Sequence, residues 1–238
     1  MSALLEIKGL YGGYEKDVNI LQGIDLTVDE GDAVGIIGLN GSGKSTLGKA
    51  VMNLIPYRRG SIVFNGQHIE NKSTHELAQM GITMMYQGGV VFPNLSVWQN
   101  LSLSWGFKSD NAYYEQMENI IPLLRKPKQV LMRTMADKLS GGQRHELALA
   151  ISLARKPKLL ILDEPSAGLS PKAVEEMYGI LRMIWEFMGL TIVLVEQNVA
   201  HAVAFCNRCV LIGQGRILDE FSCERLVLSE VESLMFKK

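Results

Sequence analysis

The sequence predicts an α/β fold in which a mixed, mostly parallel core sheet is covered by helices on both faces, with an antiparallel β part and a helical insertion added to it. Three observations predict this. Short, near-continuous apolar runs alternate with helix-like segments, the pattern of strands buried on both faces. A glycine-rich stretch at residues 38–46 joins one such run to a helix-like pattern. Between about Gly88 and Ala154 the strand-like runs stop.

Each element follows from its local pattern. "LLEIKGL", "NILQGIDLTV" and "SIVFNG" alternate apolar and polar residues, as antiparallel strands with one solvated face do. "DAVGIIGL" (32–39), "ITMMY" (82–86), "KLLILDE" (158–164) and "LTIVLVE" (190–196) are the apolar runs expected of a parallel sheet. "VLIGQGRILDE" reads as a hairpin turning at Gly213 to Gly215. The segment containing "NAYYEQMENIIPLLRK" reads as helical. The chain is therefore expected to be one domain over 1–238. Residues 1–87 and 155–238 would build the core and its antiparallel part, and 88–154 a helical subdomain inserted between two core strands.

Bulk properties narrow the function. With 238 residues, 47% of them hydrophobic, the chain can bury a core without staples. A formal charge of −1 gives no basic field, so nucleic acid is not an expected partner. No apolar run reaches the ~18 residues of a membrane span, and "MSALLEIKGL" lacks a charged leader followed by a long apolar stretch, so the expected location is cytoplasmic. Cys206 and Cys209 have C-x-x-C spacing without a second ligand pair. They are expected to pack as small apolar residues where a helix meets the strand "CVLIG".

The chemistry concentrates in three motifs. "GLNGSGKST" (Gly38, Leu39, Asn40, Gly41, Ser42, Gly43, Lys44, Ser45, Thr46) is a phosphate loop, or P-loop, between a strand and a helix. Its glycines let the backbone wrap phosphates, Lys44 would reach the β and γ oxygens, and the Ser45 hydroxyl can ligand Mg²⁺. Chance gives this pattern in about one chain of this length in a hundred. "LLILDEP" puts Asp163 and Glu164 at the C-terminal end of a buried strand, where open α/β sheets bind ligands. Asp163 would serve the Mg²⁺ shell and Glu164 would take a proton from an attacking water. "LSGGQ" opens a second helix with bare N–H groups, another place for a phosphate. Lying some ninety residues on, it would serve a partner's nucleotide, so Ser140, Gly141, Gly142 and Gln143 are expected to face the ATP of a second subunit.

At these residues the chain resembles the ATP-binding-cassette (ABC) ATPase subunits over essentially its full length. The P-loop, "LSGGQ", "LLILDEP" and "SAGL" (166–169) occur in that family's order, and "LSGGQ" alone arises by chance in about one chain in several thousand. The resemblance implies a P-loop nucleotide-binding cassette that hydrolyses ATP with Mg²⁺. It also implies an aromatic stacked on adenine, for which Tyr14 fits the spacing better than Tyr11. Gln87 would contact Mg²⁺ and the lytic water. Gln197 stands where most of the family have a histidine to the γ-phosphate, with His201 as the alternative. The 166–169 loop would touch the partner subunit. Implied partners are transmembrane permease subunits and a second ABC ATPase subunit, with attachment at the cytoplasmic face of the membrane.

"LVEQN" (194–198), "VVFPNLSVWQNL" (90–101) and "PSAGLSP" (165–171) are similar to the ATPase subunits of branched-chain amino-acid importers. The chain departs from them at "YQGG" (86–89) and "RHELALAIS" (144–152). Phe92 and Trp98 could line a groove for a permease helix. The alternative is a cassette doing mechanical work on nucleic acid or ribosomes. Such proteins usually carry two cassettes or basic linkers, and neither is present here.

Overall fold

The computed structural model describes residues 3–105 and 111–225. Among these, β1 (Ala3–Gly13), β2 (Leu21–Asp29), β4 (Tyr57–Phe64) and β5 (Gln67–His68) form an antiparallel sheet in the order β2-β1-β4-β5. A second sheet runs β10-β9-β3-β8-β7-β6, built from β3 (Ala33–Ile37), β6 (Ile82–Met85), β7 (Leu159–Asp163), β8 (Thr191–Glu196), β9 (Arg208–Gly213) and β10 (Arg216–Ser222). Five of its strands are parallel, and β10 closes the edge as the antiparallel arm of the hairpin. The mixed sheet expected from the sequence is the one observed.

Strand periodicity splits the core in two. Val34 and Ile36 of β3 face a cluster shared with the antiparallel sheet and α1 (Lys44–Val51). Ala33 and Ile37 face a cluster shared with α6 (Gly141–Leu153), α7 (Pro171–Met188) and α8 (Val199–Phe205). Because both faces are covered, β3, β7 and β8 are buried throughout, which is why each reads as an unbroken apolar run. Gly35 sits on the helix-covered face, where an added Cβ would lie 2.7 Å from Cys209 Sγ and 3.2 Å from Cys206 Sγ. The C-x-x-C pair thus fills the space that Gly35 leaves, as reduced, buried thiols.

Between β6 and β7 the described residues are helical or in turns. They include α3 (Val97–Trp105), α4 (Asn111–Ile120), α5 (Lys128–Arg133) and α6. The remaining helix, α2 (Thr74–Met80), starts at a capping box made by Ser73 and Glu76. Helix α7 shows how sequence fixes helix ends. Ser170 caps its start ahead of Pro171, and Gly189 ends it at φ 61°, left-handed backbone that disfavours any side chain.

Candidate nucleotide site

The strand β3 ends at Ile37 and α1 begins at Lys44, so the glycine-rich loop joins a buried strand to a helix start. Gly38 is required on space as well as backbone. Its φ is 153°, and a Cβ there would meet Ile212 O at 2.2 Å and Ser42 Oγ at 2.9 Å. The Lys44 ammonium curls over the loop, donating to Gly38 O at 2.9 Å and Leu39 O at 3.0 Å. Burial lowers its pKa, while Glu164, Asp163 and Glu196 pull it back up. Ser42 Oγ is buried with no protein partner, and Gly41 is exposed with open space beside it. An anion laid on the loop would meet the open side at Gly41.

The facing wall comes from the ends of β7 and β8. Asp163 is buried and accepts a hydrogen bond from Ser45 Oγ at 2.7 Å. Glu164 follows with φ 47°, a left-handed conformation unusual for a side chain, and its N–H donates to Val195 O at 2.9 Å. Gln87 Nε2 donates to Glu164 Oε2 at 2.8 Å. Burial raises the Glu164 pKa, Lys44 opposes it, and Asp163 and Glu196 add to it.

Between the two walls lies a cleft of about 470 Å³ lined by Asn40, Lys44, Ser45, Gln87, Glu164 and Gln197, among others. A larger cavity of about 660 Å³ lies between α4 and the end of α7. It contains none of these groups, so size is a poor guide here. The structure brings together the P-loop, Gln87, Asp163, Glu164 and Gln197, from four separate stretches of chain.

Two expected contributors stand apart from the cleft lining. Tyr14 lies in the turn after β1, 43% exposed, with Lys49 Nζ 5.8 Å from its ring centroid. Tyr11 is turned to Arg59, whose guanidinium carbon is 4.3 Å from its ring. The "LSGGQ" turn also lies outside. Ser140 Oγ accepts from Gln143 N at 3.3 Å and Gln143 Oε1 from Ser140 N at 3.2 Å, a reciprocal cap at the start of α6. His201, the alternative to Gln197, sits one turn into α8 with its ring 5.2 Å from that of Tyr178. Gln197→Ala is therefore expected to lower ATP turnover at least about tenfold, about 1.4 kcal/mol of barrier, and His201→Ala to change it little. ATPase rates in the reverse order would hand the phosphate contact to His201.

Sequence reasoning missed one cluster beside the cleft. Glu196 ends β8 only 3% exposed, and its carboxylate is enclosed by donors from Ser166, Tyr178, Gln197 and Asn198. The signal was available: an acid closing an otherwise apolar strand needs partners.

A P-loop on a buried parallel strand, facing two strand-end acids across a nucleotide-sized cleft, defines a P-loop ATPase. The chain belongs to the ABC transporter family, whose model matches residues 21–167, and it is an ATPase subunit of that family. It is 34% identical over 230 residues to the probable branched-chain amino acid transport ATP-binding protein LivF of Archaeoglobus fulgidus, covering 95% of each chain. To the lipopolysaccharide export system ATP-binding protein LptB of Escherichia coli K12 it is 30% identical, over 91% of this chain and 89% of that one. A solved ATP-binding subunit of an ABC transporter superposes with TM-score 0.81 at 27% identity, covering 98% of this chain and 100% of that one. The dimeric, post-hydrolysis cassette MJ0796 bound to ADP and Pi has the same fold, with TM-score 0.78 at 22% identity over 92% of this chain and 98% of that one.

Proposed function

We propose that this ATPase works as a dimer closed on two ATP molecules and drives separate membrane subunits that import branched-chain amino acids or similar small polar solutes. The observation that carries the dimer is the position of the capped "LSGGQ" turn. It is exposed, built to receive an anion, and absent from the described lining of the chain's own cleft. Ser140, Gly141, Gly142 and Gln143 then hold the partner's ATP, and residues 88–154 carry them as a helical subdomain on the core formed by 1–87 and 155–238. The likeness to LivF and to BraG of Pseudomonas aeruginosa, 32% identical over 205 residues and named as a high-affinity branched-chain amino acid transport protein, supports the solute class.

Within one site the roles follow from the geometry. The P-loop amides and Lys44 bind the phosphates, and Tyr14 swings onto the adenine. Gln197 donates from its side-chain amide to the γ-phosphate, and Gln87 orients Glu164 and the attacking water. Glu164 accepts the proton of that water. Mg²⁺ fits the donors present, since Ser45 and Asp163 offer hard oxygens 2.7 Å apart with Gln87 near the same wall. When bound, the ion would neutralise charge on the β and γ oxygens. Because burial holds the Glu164 pKa above the ordinary 4.5 of a glutamate, turnover is expected to fall as pH drops through that raised value. A pH–rate profile checks this, and an acid limb at or below 4.5 would remove Glu164 as the base.

No helix among the described residues is long and apolar enough to cross a membrane, so the path for solute belongs to partner subunits at the cytoplasmic face. Phe92 is 59% exposed and Val90 is exposed beside it, just after Gln87. Trp98 contributes less to such a groove, since its ring meets Tyr114 edge-on and lies under Lys128. Phe92→Ala is expected to keep basal ATPase activity near wild type and to uncouple transport. An unchanged transport rate would sink this docking face. The function as a whole is tested by purification in mild detergent followed by uptake of labelled leucine into vesicles. Membrane subunits that copurify and move a lipid instead of leucine would overturn the solute class.

A further inference from the structure

The C-x-x-C pair has a third neighbour. Cys209 lies in β9 opposite Phe221 of β10, and residues two apart on a strand share a face. Cys223, two residues past Phe221, therefore returns to the side that carries Cys209. The backbone holds it there, since the Cys223 N–H donates to Asn207 O at 3.0 Å just ahead of β9. Its Sγ donates to Cys209 Sγ at 3.4 Å. All three cysteines of the chain are free thiols, and they pack on the same helix-covered cluster.

The three differ in what reaches them. Cys206 and Cys209 are buried, whereas Cys223 is only half-buried and follows the edge strand β10. The hydrogen bond to Cys209 and burial raise the Cys223 thiol above its ordinary value, and the bond to Cys206 does the same for Cys209. Neither sulfur is a fast nucleophile, because only a small thiolate fraction is present. Their placement supplies proximity instead. A sulfur oxidised at the half-buried position has a second sulfur in contact with it, and a small shift of an edge segment closes the gap to the about 2 Å of a disulfide.

We propose that Cys223 and Cys209 form an oxidisable pair, in which a peroxide converts Cys223 to a sulfenic acid and Cys209 resolves it to a disulfide. In the first step the Cys223 sulfur attacks one peroxide oxygen, the S–O bond forms and the O–O bond breaks. The leaving hydroxide takes the thiol proton and departs as water. In the second, the Cys209 sulfur attacks the Cys223 sulfur, the S–S bond forms and the S–O bond breaks, and the hydroxyl leaves with the Cys209 proton as a second water. Two thiols are oxidised and one peroxide is reduced. A reducing thiol pool returns the pair to its open form.

The cross-link staples the open end of the β9–β10 hairpin, and that hairpin braces the P-loop. At its turn the Gly215 N–H donates to Ser42 O at 2.9 Å, and Gly215 O accepts from Gln22 N at 2.8 Å. Closing a loop of about 15 residues disfavours the unfolded chain, so the oxidised protein keeps this brace to a higher temperature than the reduced one.

The test exposes the whole protein to hydrogen peroxide, removes the excess, and counts free thiols in denaturant alongside peptide mass mapping and thermal melting. Free thiols are expected to fall from three to one, with a Cys209–Cys223 cross-link lighter by two hydrogens. The melting temperature should rise by at least about 3 °C, and dithiothreitol should reverse all three changes. Cys206→Ala should form the same cross-link. Cys223→Ser, at a half-buried position, should fold, keep basal ATP turnover, and show neither cross-link nor shift. Three thiols left after exposure, a Cys206–Cys209 bridge, or Cys223 ending as a sulfinic acid would overturn the pair. A Cys209–Cys223 cross-link that lowers the melting temperature would overturn its stabilising role.

Discussion

Glu164→Gln is expected to reduce steady-state ATP turnover by about 10²- to 10⁴-fold, the range a positioned general base supplies, while leaving ATP binding intact. The amide is nearly the same size, and it can keep the contact with Gln87, now at 2.8 Å, by presenting its carbonyl oxygen to the Gln87 amide. What it lacks is basicity. Folding is not threatened, because the side chain lies in the cleft and the backbone N–H to Val195 O is unaffected. With hydrolysis stopped and binding preserved, ATP should accumulate between two subunits. Light scattering on the Glu164→Gln protein should then read the mass of a dimer with ATP and of a monomer without it. Lys44→Ala gives the contrasting result, since it removes a charge that faces the phosphates and should abolish binding. Wild-type turnover in Glu164→Gln would show that another group takes the proton.

The second large effect is expected at Ser140. Ser140→Arg in the Glu164→Gln background should abolish the ATP-dependent dimer by setting bulk at the surface that meets the partner's nucleotide. The structure adds a complication and a remedy. Ser140 is the N-cap of α6, so replacing it with arginine also removes a cap, which costs about 1 kcal/mol of helix stability. Ser140→Asp preserves the cap, because a carboxylate accepts from Gln143 N as the hydroxyl does, yet it sets a negative charge against a phosphate. Both variants should be monomeric with ATP bound, and Ser140→Asp should melt near the parent temperature. Dimers that persist in Ser140→Asp would move the contact surface elsewhere.

Much of this was legible in the sequence because the constraints are local. β3, β7 and β8 carry apolar residues toward both clusters, so their runs could hardly be read as anything but buried strands. The P-loop and the strand-end acids are each set by a single short stretch. Their meeting point was legible through topology alone, since β3 and β7 flank β8 and their C-terminal ends share one edge of the sheet. Tyr14 was harder. Its place follows from a family spacing, and in the structure it stands at an exposed turn beside Lys49. Glu196 was not legible as a hub, because its four donors come from positions 166, 178, 197 and 198, and no short window contains them. The C-x-x-C pair was legible as small apolar residues packed where a helix meets a strand, but the gap it fills was not. Its cause is the missing side chain of Gly35, on a strand about 170 residues earlier.

The backbone of Glu164 carries an implication for how this chain can change over generations. A side-chain-bearing residue at φ 47° is held about 1 kcal/mol or more above what glycine would need there, and asparagine also tolerates the conformation better. Selection for a sturdier fold and selection for turnover therefore pull in opposite directions at this position. A duplicate released from hydrolysing ATP gains stability when glycine or asparagine replaces the glutamate, and it keeps the P-loop that follows the neighbouring strand. Paralogues that bind ATP without turning it over are expected to diverge first at position 164, ahead of the lysine or the aspartate.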